Sequence, residues 1–235
     1  MVQKASEAMM QPRDTTIDEV SGWVRSGQPF AVARYGNGEW DLILGRGRHT
    51  GSRSQVFTHD LRQAMRETVI DHHGKKMAMQ SRRYLSKLRL LAPAERWLAK
   101  NGIEIEWESG DVLHWASLRG EMAGFVDALA GVRPLFVGPE HLKRIPIDGD
   151  VLTIPARNCW REVDRIEKDI RAQGMNRTVC ISAGPTAKVL IHRLRNEPMQ
   201  LIDCGSLWDV YCGVPSRKYH KNIDRVTAEA NHIAD

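Results

Sequence analysis

The sequence predicts an α/β fold of Rossmann-like type, a mostly parallel sheet with helices on both faces. Two observations carry this. Strand-length apolar runs alternate with stretches of helical periodicity along the chain, and crossovers of that kind join parallel strands. The size also fits: 235 residues, 42% hydrophobic and 27% charged, can bury one large core or two small ones sharing a cleft.

In chain order, residues 1–13 are polar and read as a loose N-terminal tail. Asp14 to Thr16 offer a cap for a helix whose Ile17, Val20, Trp23 and Val24 recur at helical spacing, and Gly27 closes it. Phe30 to Arg34 reads as a strand, Gly36-Asn37-Gly38 as its turn, and Glu39 to Leu44 as a helix. The Gly-, Arg- and Ser-rich segment from Gly45 to Gln55 reads as a mobile loop. Thr58 caps a helix with Leu61, Met65 and Val69 on one face, ending at Gly74. A strand at Met77–Gln80 precedes helical pieces at Tyr84–Leu91 and Pro93–Lys100. Ile103 to Trp107 alternates apolar and acidic residues, the pattern of a half-exposed strand, and Val112 to Leu129 reads as one long amphipathic helix. Four strands follow at Leu135–Val137, Val151–Ile154, Val179–Ser182 and Leu201–Asp203, each leading into a turn and a helical pattern. Residues 14–235 therefore form a single α/β domain with a weak division near residue 132.

Composition narrows the function. No apolar run reaches the roughly 18 residues of a membrane span, and the N-terminus lacks the apolar stretch of a secretory signal. Cys159, Cys180, Cys204 and Cys212 lie far apart without a CxxC pair, which disfavours a zinc knuckle or disulfide scaffold. Reduced thiols and a cytoplasmic location are expected. Lys and Arg number 34 against 29 Asp and Glu, a net charge of +5 that permits an anionic partner without demanding one.

In parallel sheets ligands sit beyond the carboxyl ends of the strands. At the first such turn, Arg34-Tyr35-Gly36-Asn37-Gly38-Glu39, the glycines admit a ligand to the backbone and Arg34 can clamp a phosphate. The structural alternative is that Arg34 pairs with Glu39. A second turn, Ser182-Ala183-Gly184-Pro185-Thr186, leaves backbone N–H groups free at a helix start, as a diphosphate cradle or merely as a packed bend. A third, Asp203-Cys204-Gly205-Ser206-Leu207-Trp208-Asp209, offers carboxylates to an acceptor hydroxyl, or a helix cap. Trp40 and Trp208 flank these turns and can stack on a base or sugar. Walker A, GxGxxG, GxSxG, HExxH and SxxK motifs are absent. Basic residues cluster at Arg46, Arg48, His49 and Arg53, between Lys75 and Arg89, and at Arg217-Lys218-Tyr219-His220-Lys221. Such clusters track a phosphate backbone or form a solvated face.

Phe30 to Glu39 resembles the opening motif of the GT-D-type glycosyltransferases, in which a strand ends in Arg-aromatic-Gly-Asp-Gly-Glu. Ile181–Ala187 and Leu201–Gly205 are similar to that family's strand–Gly-Pro–helix–strand–Asp-x-Gly block. The resemblance implies an enzyme that moves a sugar from a nucleotide diphosphate sugar, typically UDP-linked, to an acceptor hydroxyl, often with Mn²⁺ or Mg²⁺. It implies donor-binding roles for Arg34, Tyr35, Gly36, Asn37, Gly38, Glu39, Ser182, Gly184, Pro185 and Thr186, with Glu39 matching the second acid of the metal-binding motif. Asn37 stands where the family usually has Asp, and an amide is a poorer ligand for a hard cation. Ser206 stands where the family often has His. Asp209 and then Glu39 are the candidates for deprotonating the acceptor, and Asp203, Ser206, Trp208, Arg46 and Arg48 are placed on the acceptor side. Small size and clustered basic residues favour a hydroxymethylated pyrimidine in DNA as acceptor over a saccharide or glycoprotein. The competing reading is a non-catalytic nucleotide- or nucleic-acid-binding module.

Overall fold

A computed structural model describes residues 10–50 and 54–233. Eight parallel strands form one sheet: β1 (Pro12–Arg13), β2 (Phe30–Tyr35), β3 (Lys76–Met79), β4 (Trp107–Ser109), β5 (Leu135–Gly138), β6 (Asp150–Thr153), β7 (Thr178–Ile181) and β8 (Gln200–Asp203). Their order across the sheet is β1-β4-β3-β2-β8-β7-β5-β6. The expected α/β fold with a parallel sheet is the one observed.

Period-2 alternation along the central strands feeds a core on each face. Ala33 and Tyr35 of β2, Val179 and Ile181 of β7 and Leu201 of β8 pack in one core. It includes buried residues of α2 (Asn37–Ile43), α3 (His59–Ile70), α5 (Leu91–Lys100), α8 (Val163–Gly174) and α9 (Pro185–Leu194). Phe136, Cys180 and Ile202 belong to the opposite core, with α1 (Ile17–Arg25), α6 (Val112–Arg119), α7 (Ala123–Ala130) and the segment around Trp208. Between α3 and α5 lies the short α4 (Arg82–Lys87), and α10 (Arg225–Ala230) ends the described fold.

Four sequence expectations change. Pro12 and Arg13, assigned to the tail, pair with Trp107 and Glu108 as an edge strand, and Arg13 Nε donates to Glu108 at 2.9 Å; residues 1–9 of that tail lie outside the described residues. The fourth strand occupies 107–109 rather than 103–107, because Ile103 N is spent closing the preceding helix on Leu98 O. The long helix over 112–129 is two helices. Gly120 turns left-handed at φ +72°, and Asn231 enters the break, accepting from Met122 N and donating to Ser117 O. A local amphipathic pattern does not register a distant residue that satisfies the broken ladder. Where a mobile loop is expected over 45–55, the described residues are tied down. Thr50 N donates to Gln55 O, Asn158 N to Ser54 O, and Arg62 to the carbonyls of Arg46 and Gly47. Residues 51–53, including Arg53 of the first basic cluster, lie outside the described residues.

Among the described residues no helix is long and apolar enough to cross a membrane.

Candidate active site

The chain runs outward from β2 through β3 to β4, returns at the far side with β5, and works back to β8 beside β2. After β2 it enters α2 on one face; after β8 the chain that carries Trp208 packs on the other. This divergence is the switch point at which parallel sheets open a crevice.

On the α9 side of that crevice sits a buried ion cluster. Lys188, one turn into α9, has its ammonium 2.8 Å from Asp203 Oδ2 and 3.1 Å from Glu39 Oε1, and it donates to Gly184 O at 3.2 Å. The Asp203 side chain has no exposed surface and that of Lys188 3%. The four carboxylate oxygens are all engaged: Glu39 Oε2 accepts from Gly36 N, Asp203 Oδ2 also from Arg34 N, and Asp203 Oδ1 from Gly205 N. Burial alone would raise the Glu39 pKa, but the Lys188 ammonium outweighs it and holds the carboxyl below its ordinary value. Burial likewise opposes charge on Lys188, yet Asp203 and Glu39 keep its pKa above the ordinary value. Every carboxylate oxygen of the cluster thus has a partner.

The opposite side is less fully paired. Arg34 does not pair with Glu39; its guanidinium lies 3.7 Å from Asp111 Oδ1, and Asp111 Oδ2 accepts from Ser81 N at 3.0 Å. Gly110 allows this placement, since a Cβ there would sit 2.6 Å from the backbone carbon of Met79. His114 is 7% exposed. Burial, then the nearby Arg34, drives its pKa well below the ordinary value and keeps it neutral. Arg34 Nε, His114 Nδ1, His220 Nε2 and Ser182 Oγ are buried without a hydrogen-bond partner among the described residues. Tyr219 packs edge-on against His114, its hydroxyl 3.4 Å from Ser206 Oγ, and Arg217 Nε donates to Ser206 at 3.2 Å. Beyond them His141 Nε2 lies 2.9 Å from Asp209 Oδ1, and Ser216 donates to the other oxygen of Asp209.

Several residues read from the sequence have other surroundings. Tyr35 is fully buried with its hydroxyl on Thr68, so it presents its backbone, not its ring, to the turn. Trp208 is fully buried between Phe125 and Phe136, and Trp40 against Trp107; neither ring is a stacking platform. Asp203 is a buried brace rather than an acceptor-side group. Thr186 is buried, with the Cys159 thiol on its hydroxyl, while Gly184 is exposed at φ +55° ahead of Pro185. Arg46 points its guanidinium at Arg89 O. Asn37 uses its backbone N–H on Gln80 Oε1 and is half-buried. Lys188, Asp111, His114 and His141 escaped the sequence reading, and Tyr219 entered it only as part of the basic run Arg217–Lys221. The one local signal was a lysine inside the apolar run Ala187-Lys188-Val189-Leu190-Ile191.

An all-parallel sheet with a crevice at its switch point defines an α/β architecture that known solved structures share. The chain superposes on a glycosyltransferase of the DUF1792 group from Streptococcus sanguinis with a TM-score of 0.63 at 21% identity, covering 88% of this chain and 87% of that one. A second DUF1792 structure, described as having a distinct glycosyltransferase fold, matches with a TM-score of 0.62 at 16% identity over 87% of this chain and 82% of that one. The fold is therefore the DUF1792, or GT-D, fold. In sequence, a probable glycosyl transferase Gly from Streptococcus gordonii is 23% identical over 211 residues, or 77% of this chain. The chain spans only 30% of that relative's length. No protein-family model matches the chain.

Proposed function

We propose that this chain is a glycosyltransferase that takes a sugar from a nucleotide diphosphate sugar, UDP-linked, at the β2–β8 crevice. The observation that carries the reading is the pair of unpartnered buried nitrogens, Arg34 Nε and His114 Nδ1, at the switch point of a GT-D fold. Buried polar groups are nearly always satisfied, and an anionic ligand beside the Arg34 guanidinium would supply an acceptor that the described residues do not. The distant Streptococcus gordonii relative supports the same chemistry.

In the transfer, the bond between the anomeric carbon and the diphosphate breaks as a bond to the acceptor oxygen forms. Arg34 and the backbone N–H groups of Gly38, Gly184 and Thr186 stabilise the charge gathering on the leaving diphosphate, since Gly36 N and Asn37 N are held by Glu39 and Gln80. The acceptor's proton passes to the Asp209–His141 pair, in which the carboxylate orients the imidazole. Glu39, spent on Lys188 and Gly36, is a poor base and serves to fix the turn.

The acceptor is a hydroxymethylated pyrimidine in DNA. Arg217, which reaches Ser206 beside the crevice, is exposed, as are Lys218 and Lys221 next to it in the chain, whereas Lys76 and Arg82 of the middle basic cluster are spent on Glu108 and Glu95. Incubation with radiolabelled UDP-glucose and hydroxymethylated DNA tests both halves. Label should enter the DNA, fail to do so with Arg34→Ala, and decline steeply with added salt as phosphate contacts release counterions. Label in an added oligosaccharide instead would move the acceptor to a saccharide. Nucleotide binding with no turnover of any donor would leave a binding module.

A further inference from the structure

The resemblance to GT-D enzymes brings with it an expectation of Mn²⁺ or Mg²⁺ at the acidic turn, and the side chains at that turn do not fit one. A hard divalent cation takes oxygen ligands at about 2.0 to 2.6 Å, most of its charge met by carboxylates. Here the first acidic position is Asn37. The second, Glu39, holds an ammonium on one oxygen and an amide N–H on the other. Asp203, the nearest further acid, is saturated by Lys188, Arg34 N and Gly205 N. Asp111 is held by Ser81 N on one oxygen and faces Arg34 across 3.7 Å on the other. Among the described residues no three acidic, histidine or cysteine side chains converge as metal ligands. A cation reaching Glu39 would also meet the Lys188 ammonium at close range, with almost no water to screen the repulsion.

We propose that Lys188 is the fixed cation of this site, and that the chain binds its nucleotide donor without a divalent metal. The inference rests on the donor reading of the crevice and concerns how charge is balanced there. A diphosphate approaching Arg34 would face Glu39 and Asp203 as two uncompensated negative charges. Lys188 offsets one of these two charges through the shared contacts at 3.1 and 2.8 Å, and so reduces the repulsion a phosphate beside the Arg34 guanidinium would meet. Lys188 is thus a positioning residue: it touches the carboxylates, not the donor. Because it is covalently part of α9, its charge cannot be removed by a chelator.

The test titrates MnCl₂ into the full chain, with and without saturating UDP, and follows free Mn²⁺ by electron paramagnetic resonance. In parallel, calorimetry measures UDP affinity in chelator and in excess Mn²⁺. The wild-type chain should leave the free-Mn²⁺ signal as UDP alone leaves it, and its UDP affinity should change by less than about twofold between the two buffers. Lys188→Met should lose at least about tenfold in UDP affinity in chelator and begin to withdraw Mn²⁺ from solution. Wild-type chain that sequesters Mn²⁺ in a manner lost in Glu39→Gln overturns the proposal, as does chelator weakening UDP binding by about tenfold or more. If Lys188→Met does not fold, the wild-type measurements still decide. If UDP, GDP and dTDP bind under neither condition, the donor reading falls, while the Mn²⁺ titration continues to judge the cation assignment.

Discussion

Two acidic groups at the same edge of the sheet are treated in opposite ways. Glu39 and Asp203 share one buried ammonium and every oxygen is occupied, Asp203 having no exposed side-chain surface and Glu39 12%. Asp209, carried only a few residues beyond β8, meets a histidine ring and a serine hydroxyl, is 14% exposed, and has no lysine or arginine paired with it among the described residues. A buried, saturated charge fixes geometry, because moving any member strands another without solvation. A partly exposed carboxylate beside an imidazole can exchange a proton. The contrast separates framework from chemistry within one crevice.

The largest expected effect breaks the fully paired cluster. Lys188→Met leaves two buried carboxylates without their cation and should lower unfolding free energy by about 3 to 5 kcal/mol in urea titrations, far more than a surface lysine. Equal stability would mean that the pair is hydrated and that the contrast drawn above is false. Next comes the less fully paired cluster, where Asp209→Asn should cut kcat by about 10² to 10⁴ while leaving the thermal midpoint within a few degrees. A stability loss matching that of Lys188→Met would place Asp209 in the framework instead.

Between the two clusters lies Gly205, at φ +56°, where a Cβ would stand 2.9 Å from Arg34 Nη1. Gly205→Ala should cost about 1 to 2 kcal/mol and raise KM for the donor more than it lowers kcat, since it shifts the guanidinium rather than the base.

The smallest effects are in pH dependence. Glu39 is held below its ordinary pKa, so its contribution is complete above that ordinary value and disappears as pH falls through the lower folded one. Neutral His114 also has a depressed pKa. For it, the unfolded chain gains the proton first as pH drops below about 6.5, and the fold loses stability from there downward. His114→Gln should flatten the stability profile in that upper window, and Glu39→Gln only in the acid one. A single merged transition, unaltered by either substitution, would contradict the separate environments.

The alternation of strands and helices was legible because each element carries its own signal: Phe30–Arg34, Val179–Ser182 and Leu201–Asp203 are apolar runs, and Thr16 and Thr58 cap helices as local chemistry directs. The glycine turns after β2 and β7 were legible for the same reason. Misreadings arose wherever a distant segment decides the outcome. Asn231 splits the expected 112–129 helix, and Pro12–Arg13 gains a strand only because Trp107 is available as a partner. Trp208 looked like a stacking surface from its position in the chain, and its burial depends on Phe125 and Phe136.

By itself, then, the sequence determined an α/β chain with phosphate-compatible turns at its strand ends, since periodicity, capping and glycine placement act over a few residues. The tertiary structure alone decided that Arg34 faces Asp111 and that Lys188 joins Glu39 to Asp203. Arg34 meets Asp111 because β2, β3 and β4 are adjacent, and Lys188 meets Glu39 and Asp203 because β2, β8 and β7 are; the energy of a buried charge depends on its surroundings in space, not on its neighbours along the chain.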